Sequence, residues 1–299
     1  MSLLNTTNDG LHNVLVALCG TLVLEKGELA ESELLQMTAP ASIVADQGKM
    51  VRQTLNRWVE LGLFLREDDN ISLSAEYWPA GKVAPDVIPS TVRHVARTCA
   101  LALVNNTNLW AKESAKAADL TRSLCLLLAQ DAYRTTFSQL ETLENEQVVN
   151  AELRLVQNDT RVNGLKKWSH FLGFVRQASA EDIDPTVAVR DSIGSWMLPG
   201  ERMPASHFLS CLGEDLPVLD GGAYRRAVEQ ELNRTMLFVP GPGQLSSSLS
   251  RALLGLRASG DLLWEAKSDA VGEGLMLTGR DGPRPDLRFT HIWRPEESK

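Results

Sequence analysis

The sequence predicts a mainly α-helical chain with small β-hairpin wings: tandem winged helix-turn-helix units around a helical middle section. Two stretches carry this expectation. From Met50 to Ser74, Val51, Leu55, Trp58, Val59 and Leu61 recur at three- and four-residue steps, the spacing of one helical stripe. Gly62 supplies the permissive backbone that ends a helix. Leu63 to Arg66 then reads as a strand, Asp68-Asp69-Asn70 as a tight turn, and Ile71 to Ser74 as the returning strand. A helix stopped by Gly and followed at once by a hairpin is the last helix and wing of a winged helix. The order returns near the other end: Leu249, Leu253, Leu256 and Gly260, then Leu262-Leu263-Trp264, a turn around Ser268 to Gly274, and Leu275-Met276-Leu277.

In chain order, Leu11 to Leu24 predicts a first helix behind Asn8 or Asp9 as cap, and Glu31 to Met37 a second, ended by Ala39-Pro40. A third helix is expected from about Ala45, and the wing closes the first unit (1–80) near Tyr77-Trp78-Pro79. Prolines 79, 85 and 89 mark a linker. Glycine is then absent from 82 to 163, and Val92–Val104, Trp110–Tyr133 and Phe137–Gln147 read as helices, so 81–137 forms the helical middle section. Gly164 to Phe174 is again an apolar helix closed by Gly, with Phe174–Arg176 and Ile183–Val187 as a small hairpin. This predicts a degenerate winged-helix-like unit over 138–200. The C-terminal winged helix (201–299) opens with Ala205 to Leu212. Asp220 is placed to cap the helix carrying Tyr224, Val228 and Leu232, Gly241-Pro242-Gly243 breaks the chain, and Phe289–Trp293 is a short closing strand.

Of 299 residues, 43% are apolar and 23% charged, ordinary for a globular protein with two or three cores. No apolar run approaches the roughly 18 residues of a membrane span, and the N-terminus lacks a signal peptide's pattern, so cytoplasmic residence is expected without membrane association. Four cysteines stand far apart among apolar neighbours, without a nearby His at ligand spacing, and predict buried free thiols. The net charge of −8 is uneven. Residues 1–78 hold 5 Lys and Arg against 11 Asp and Glu, residues 79–178 hold 12 against 9, and the remainder 13 against 18. A helix that meets DNA through phosphates needs a positive face, and both terminal units are acidic.

Three groups of residues are candidates for nucleic-acid binding. Lys49, Arg52, Gln53 and Asn56 fall on the side of the third helix away from its apolar stripe, where they would read bases or phosphates in a major groove. Arg161, Lys166, Lys167 and Arg176, opposed between 155 and 178 only by Asp159, form the most favourable patch. Ser247 and Arg251 lie at the start of the last helix, where serines and the helix dipole suit phosphate. A solvated helix face, or simple capping serines, accounts for each group equally simply.

Catalytic, cofactor and metal signatures are missing. No glycine leads into Gly-Lys-Ser/Thr, the five histidines share no short spacing, and no serine sits in a G-x-S-x-G elbow. Glu265-Ala266-Lys267 has the look of the E-x-K strand of metal-dependent nucleases, which also needs an Asp on a neighbouring strand. Asp261 is too close and Asp220 precedes a predicted helix, so charged residues on a wing explain the triplet. A non-catalytic chain without cofactor is expected.

Three spaced segments carry a resemblance: Leu216 to Arg225, Leu245 to Leu253, and Phe289 to Ile292, with Trp168 to Gly173 in support. They resemble the DpdG family of bacterial deazaguanine DNA-modification and restriction islands. None is a catalytic motif, so no residue role carries over. The resemblance implies membership of a phage-defence or modification system acting on DNA, with its other proteins as partners. The resulting expectation is a winged-helix adaptor or DNA-binding component of such a complex, with direct DNA contact and homodimer formation left open. A rival reading is an SMC-associated tandem winged-helix protein that grips a kleisin peptide, which suits the acidic terminal units. A transcription regulator stands third, since no small-ligand domain is evident.

Overall fold

In the computed structural model the described residues are 3–4, 12–40, 48–110, 116–176, 182–233, 235, 237, 239–267 and 274–296. Among them the chain is mainly helical with small antiparallel sheets, and it divides into two compact units. The first holds residues 1–120 and 159–172, the second 121–158 and 173–299.

The first unit opens with α1 (His12–Leu24), whose Leu15, Leu18, Cys19 and Leu22 are buried at the helical repeat. A short strand, β1 (Glu28–Ala30), leads directly into α2 (Glu31–Thr38), and α3 (Lys49–Leu61) follows. The expected start of α3 near Ala45 lies outside the described residues. α3 buries Val51, Leu55, Trp58 and Leu61 of the stripe read from the sequence, together with Thr54 and Arg57, while Val59 is half-buried. Gly62 ends it at φ 90°, and the Leu63 amide donates back to the Trp58 carbonyl at 2.9 Å. The hairpin β2 (Phe64–Glu67) and β3 (Asn70–Leu73) then pairs as expected, and β1 joins it to give the order β1-β3-β2. After it, α4 (Ile88–Leu101) starts with Pro89 in its first turn, inside the expected linker.

Of the middle helices, α5 (Ala118–Ala129), which has residues in both units, is shorter than expected, while α6 (Leu140–Gln147) follows a 3-10 turn over Phe137–Gln139 and completes the expected stretch Phe137–Gln147. The stretch 138–200 is shared out. α7 (Asp159–Phe171) belongs to the first unit, where its Trp168 ring meets Trp58 at 5.5 Å and its Phe171 ring stacks on His12 at 5.0 Å. Arg97 of α4, 1% exposed, donates to the Leu172 carbonyl at 2.8 Å, placing a cation at the negative end of α7. The hairpin β4 (Val175–Arg176) and β5 (Asp182–Ile183) belongs to the second unit, with α8 (Thr186–Trp196) behind it.

In the second unit β6 (Met203–Pro204) runs straight into α9 (Ala205–Asp215), and α10 (Ala223–Glu231) and α11 (Ser247–Ala258) follow. Next come β7 (Leu263–Glu265), β8 (Leu275–Gly279), β9 (Gly282–Phe289) and β10 (His291–Trp293). Two expectations are corrected. β7 pairs with β10 rather than with Leu275–Leu277, while β8 pairs with β9, so a whole second hairpin is inserted between the two paired strands. Asp220 does not cap α10, whose N-cap is Gly222. Its carboxylate instead accepts from the amide and hydroxyl of Ser246, the N-cap of α11, both at 2.6 Å.

With α10 and the β8-β9 hairpin set aside, residues 203–293 of the second unit repeat the framework of residues 28–73 of the first. Both run strand, helix, helix, strand, strand, with the closing strand in the middle of the sheet, as β1-β3-β2 and β6-β10-β7. The last helix ends at a glycine of positive φ in each, 90° at Gly62 and 80° at Gly260. The first amide of the helix after the opening strand, that of Glu31 or Ala205, donates to the carbonyl just ahead of the closing strand, Asp69 at 2.7 Å or Thr290 at 2.8 Å.

Candidate nucleic-acid interface

Aligning Gly62 with Gly260 sets α3 and α11 in register, with Lys49 against Ser247, Arg52 against Ser250 and Gln53 against Arg251. Their inward faces match: Val51, Thr54, Leu55 and Trp58 are buried on one, and Leu249, Ala252, Leu253 and Leu256 on the other. The outward faces differ. On α3, Lys49, Arg52 and Asn56 are exposed and Gln53 is half-buried. On α11 the same face is built over. Ser247, 4% exposed, accepts from the Ala132 amide at 2.9 Å and donates to the Gln130 carbonyl. Ser248 donates to the Leu128 carbonyl, and Ser250 accepts from the Thr278 amide of β8, both at 2.8 Å. Arg251 donates to the Ala132 carbonyl at 2.9 Å and lies 3.0 Å from Asp182 of β5. Backbone groups of 128–132, β5 and the inserted hairpin thus together cover the helix start that the sequence marked as a phosphate site.

The exposed face of α3 is tied to the β2-β3 hairpin. Arg66 of β2 donates to Asn56 Oδ1 at 2.6 Å, and its Nε lies 2.9 Å from Glu31 Oε2 at the start of α2. Arg66 pairs across the sheet with buried Ile71, so it stands on the side of β2 that faces the helices. That sidedness was available in the alternation of Phe64-Leu65-Arg66-Glu67, but its reach to Asn56 and Glu31 needs the helices placed. The tip of the hairpin is acidic, with Glu67, Asp68 and Asp69 all exposed.

The second candidate group separates. Arg161, Lys166 and Lys167 lie on α7 in the first unit, and Arg176 on β4 in the second. Lys167 is exposed, while Arg161 and Lys166 are half-buried. Arg176 pairs with Asp182 at 3.2 Å and Asp184 at 3.6 Å. Lys167 and His170 add positive charge beside His12, whose pKa is lowered first by burial and then by these neighbours. Buried Asp119 holds the amides of Leu3 and Leu4 at 3.2 and 2.7 Å. Burial raises its pKa against the opposing pull of these hydrogen bonds and of the Arg161 charge.

Glu265 of the E-x-K triplet is held by Arg202, whose Nη1 reaches both carboxylate oxygens at 3.1 and 3.0 Å, and Lys267 lies 3.9 Å from it. Among the described residues no group of three His, Cys, Asp or Glu side chains is placed to hold a metal. The four cysteines are free. Cys19, Cys99 and Cys125 are buried, with burial pushing the Cys99 thiol up to about 12, and Cys211 is half-buried. No helix of the described residues is long and apolar enough to cross a membrane.

Compared with known proteins, residues 1–270 match a family model described as DpdG-like. The match extends well beyond the C-terminal third and stops short of Phe289 to Ile292. No curated protein and no solved structure matches.

Proposed function

The chain belongs to the DpdG-like family, and on that premise we propose that it is a non-catalytic winged-helix component of a DNA-acting defence complex. Membership suggests a role in the DNA deazaguanine modification system, alongside its other proteins. We read each strand-helix framework as a winged helix. The first uses α3 to meet duplex DNA, and the second is an internal structural module that supports assembly with protein partners. The observation that carries this reading is the difference between two helices in one register: Lys49, Arg52 and Asn56 are exposed on α3, whereas the matching face of α11 is bonded into its own unit. A helix enters a major groove only with an open outer face.

In this reading Arg161, Lys166 and Lys167 of α7 supply contacts to the phosphate backbone, and Lys49, Arg52, Gln53 and Asn56 lie towards the bases. Ser247, Arg251 and Arg176 serve the packing of the second unit. The test is the salt dependence of duplex binding by the full chain. Changing Lys166 and Lys167 to Glu should weaken binding on all sequences alike and lower the salt slope by about one unit per lost phosphate contact. Binding that is unaffected by this change removes α7 from the interface.

A second reading draws on the wing. Exposed Glu67, Asp68 and Asp69 disfavour phosphate and suit a basic peptide, as in a protein-gripping winged helix. Reversing them to Lys should abolish partner capture in that case, and should tighten DNA binding if α3 meets DNA.

A further inference from the structure

From Lys49 to Asn56 the exposed groups of α3 do not offer an even balance of hydrogen-bonding chemistry, and exposed Glu60, an acceptor one turn further on, is paired with Arg57 at 3.4 Å. Lys49 and Arg52 can only donate. An asparagine ordinarily offers an acceptor and a donor together, the pair that fits the major-groove edge of adenine. Asn56 has lost that balance. Its Oδ1 accepts from Arg66 Nη2 at 2.6 Å, and Arg66 is itself held by Glu31 at 2.9 Å. A guanidinium cannot accept, so it fixes which way the amide lies, with the oxygen towards the wing and the NH₂ away from it. Lys49, Arg52 and Asn56 therefore all present N–H groups, with half-buried Gln53 as the other amide on that side.

Guanine offers two acceptors, O6 and N7, on its major-groove edge, whereas adenine sets a donor beside its N7. A 7-deazaguanine keeps O6 but carries carbon where N7 was, so it has lost one of the two acceptors. We propose that α3 reads guanine through N7, and so distinguishes unmodified DNA from DNA carrying 7-deazaguanine, with Arg66 as the residue that positions the Asn56 amide. This rests on the reading of α3 as a DNA-binding helix. It adds the chemical group recognised and the direction of preference, towards the unmodified base. The matching positions of α11 cannot share the task, because Ser247 and Ser250 are bonded to backbone within their own unit.

The experiment is fluorescence anisotropy with the full chain on two duplexes of one sequence, one with ordinary guanine and one with every guanine replaced by 7-deaza-2′-deoxyguanosine. Binding should be about tenfold weaker on the substituted duplex, the scale of losing one well-made base contact. A third duplex carrying 7-deazaadenine in place of adenine should bind like the first. Asn56→Ala should remove the difference between the first two. Arg66→Ala, which lets the amide turn over, should shrink the difference while leaving most of the phosphate-driven affinity. Both residues are exposed, and a melting curve of each variant separates recognition from folding. Equal binding of the guanine and 7-deazaguanine duplexes by the unaltered chain overturns this inference and leaves the DNA-binding reading standing. Tighter binding of the 7-deazaguanine duplex also overturns it. No binding to any duplex overturns both.

Discussion

Single side chains in this protein settle which segments are held and which are offered. Asp119 is spent on structure: its carboxylate ties down Leu3 and Leu4 from a buried position. Burial holds its pKa above the ordinary carboxylate range in the folded chain. As pH rises past the unfolded value, the unfolded chain releases this proton while the folded chain keeps it. The contribution to stability is therefore complete below the unfolded pKa and declines as pH climbs through the folded one. Asp119→Asn retains an acceptor and should flatten that decline, as read from urea midpoints between pH 3 and 7, a range chosen to bracket about 3.9 for a free carboxyl. A decline of the same size in the variant would assign it to other groups. Arg66 is the opposite case, an exposed residue whose bonds orient a neighbour. It was hard to recognise in the sequence because strand alternation tells only which side a residue faces, and its value lies in reaching two helices from there.

At the scale of elements, the two glycines that end α3 and α11 can be tested as a pair. A Cβ at Gly62 or Gly260 would meet no atom within 4 Å, so substitution costs only the left-handed backbone. Gly62→Ala and Gly260→Ala should each destabilise by about 1 kcal/mol. A much larger loss at either site, measured by denaturant unfolding, would mean that the helix end does more than turn the chain. These glycines, the stripe of α3 and the tight β2-β3 hairpin were legible in the sequence because all three are local patterns. The partner of β7 was not. A hairpin is expected to close on the next strand, yet Leu263–Glu265 pairs with His291–Trp293 across the inserted β8-β9 hairpin. The place of α7 was hidden for a related reason: its apolar residues predict a buried face but not that Trp168 meets Trp58, more than a hundred residues earlier. The candidate residues of α3 could be read from one helical wheel. The covering of Ser247 and Ser250 depends on groups from residue 130 to residue 278.

For the whole molecule, one framework occurs twice with its outer helix face open in the first unit and closed in the second. Glu265 is engaged by Arg202, and the account gives the chain no catalytic part. Incubation with duplex DNA and Mg²⁺ should leave the DNA intact, and cleavage that disappears in Glu265→Ala and Lys267→Ala would contradict this. The central claim is that α3, and not α11, meets DNA. Hydrogen–deuterium exchange of the full chain with and without duplex DNA tests it most directly, because both helices report in one experiment. The account predicts slowed exchange in peptides covering 48–61 and 159–172 and no change over 247–258; slowed exchange over 247–258 with none over 48–61 would contradict it.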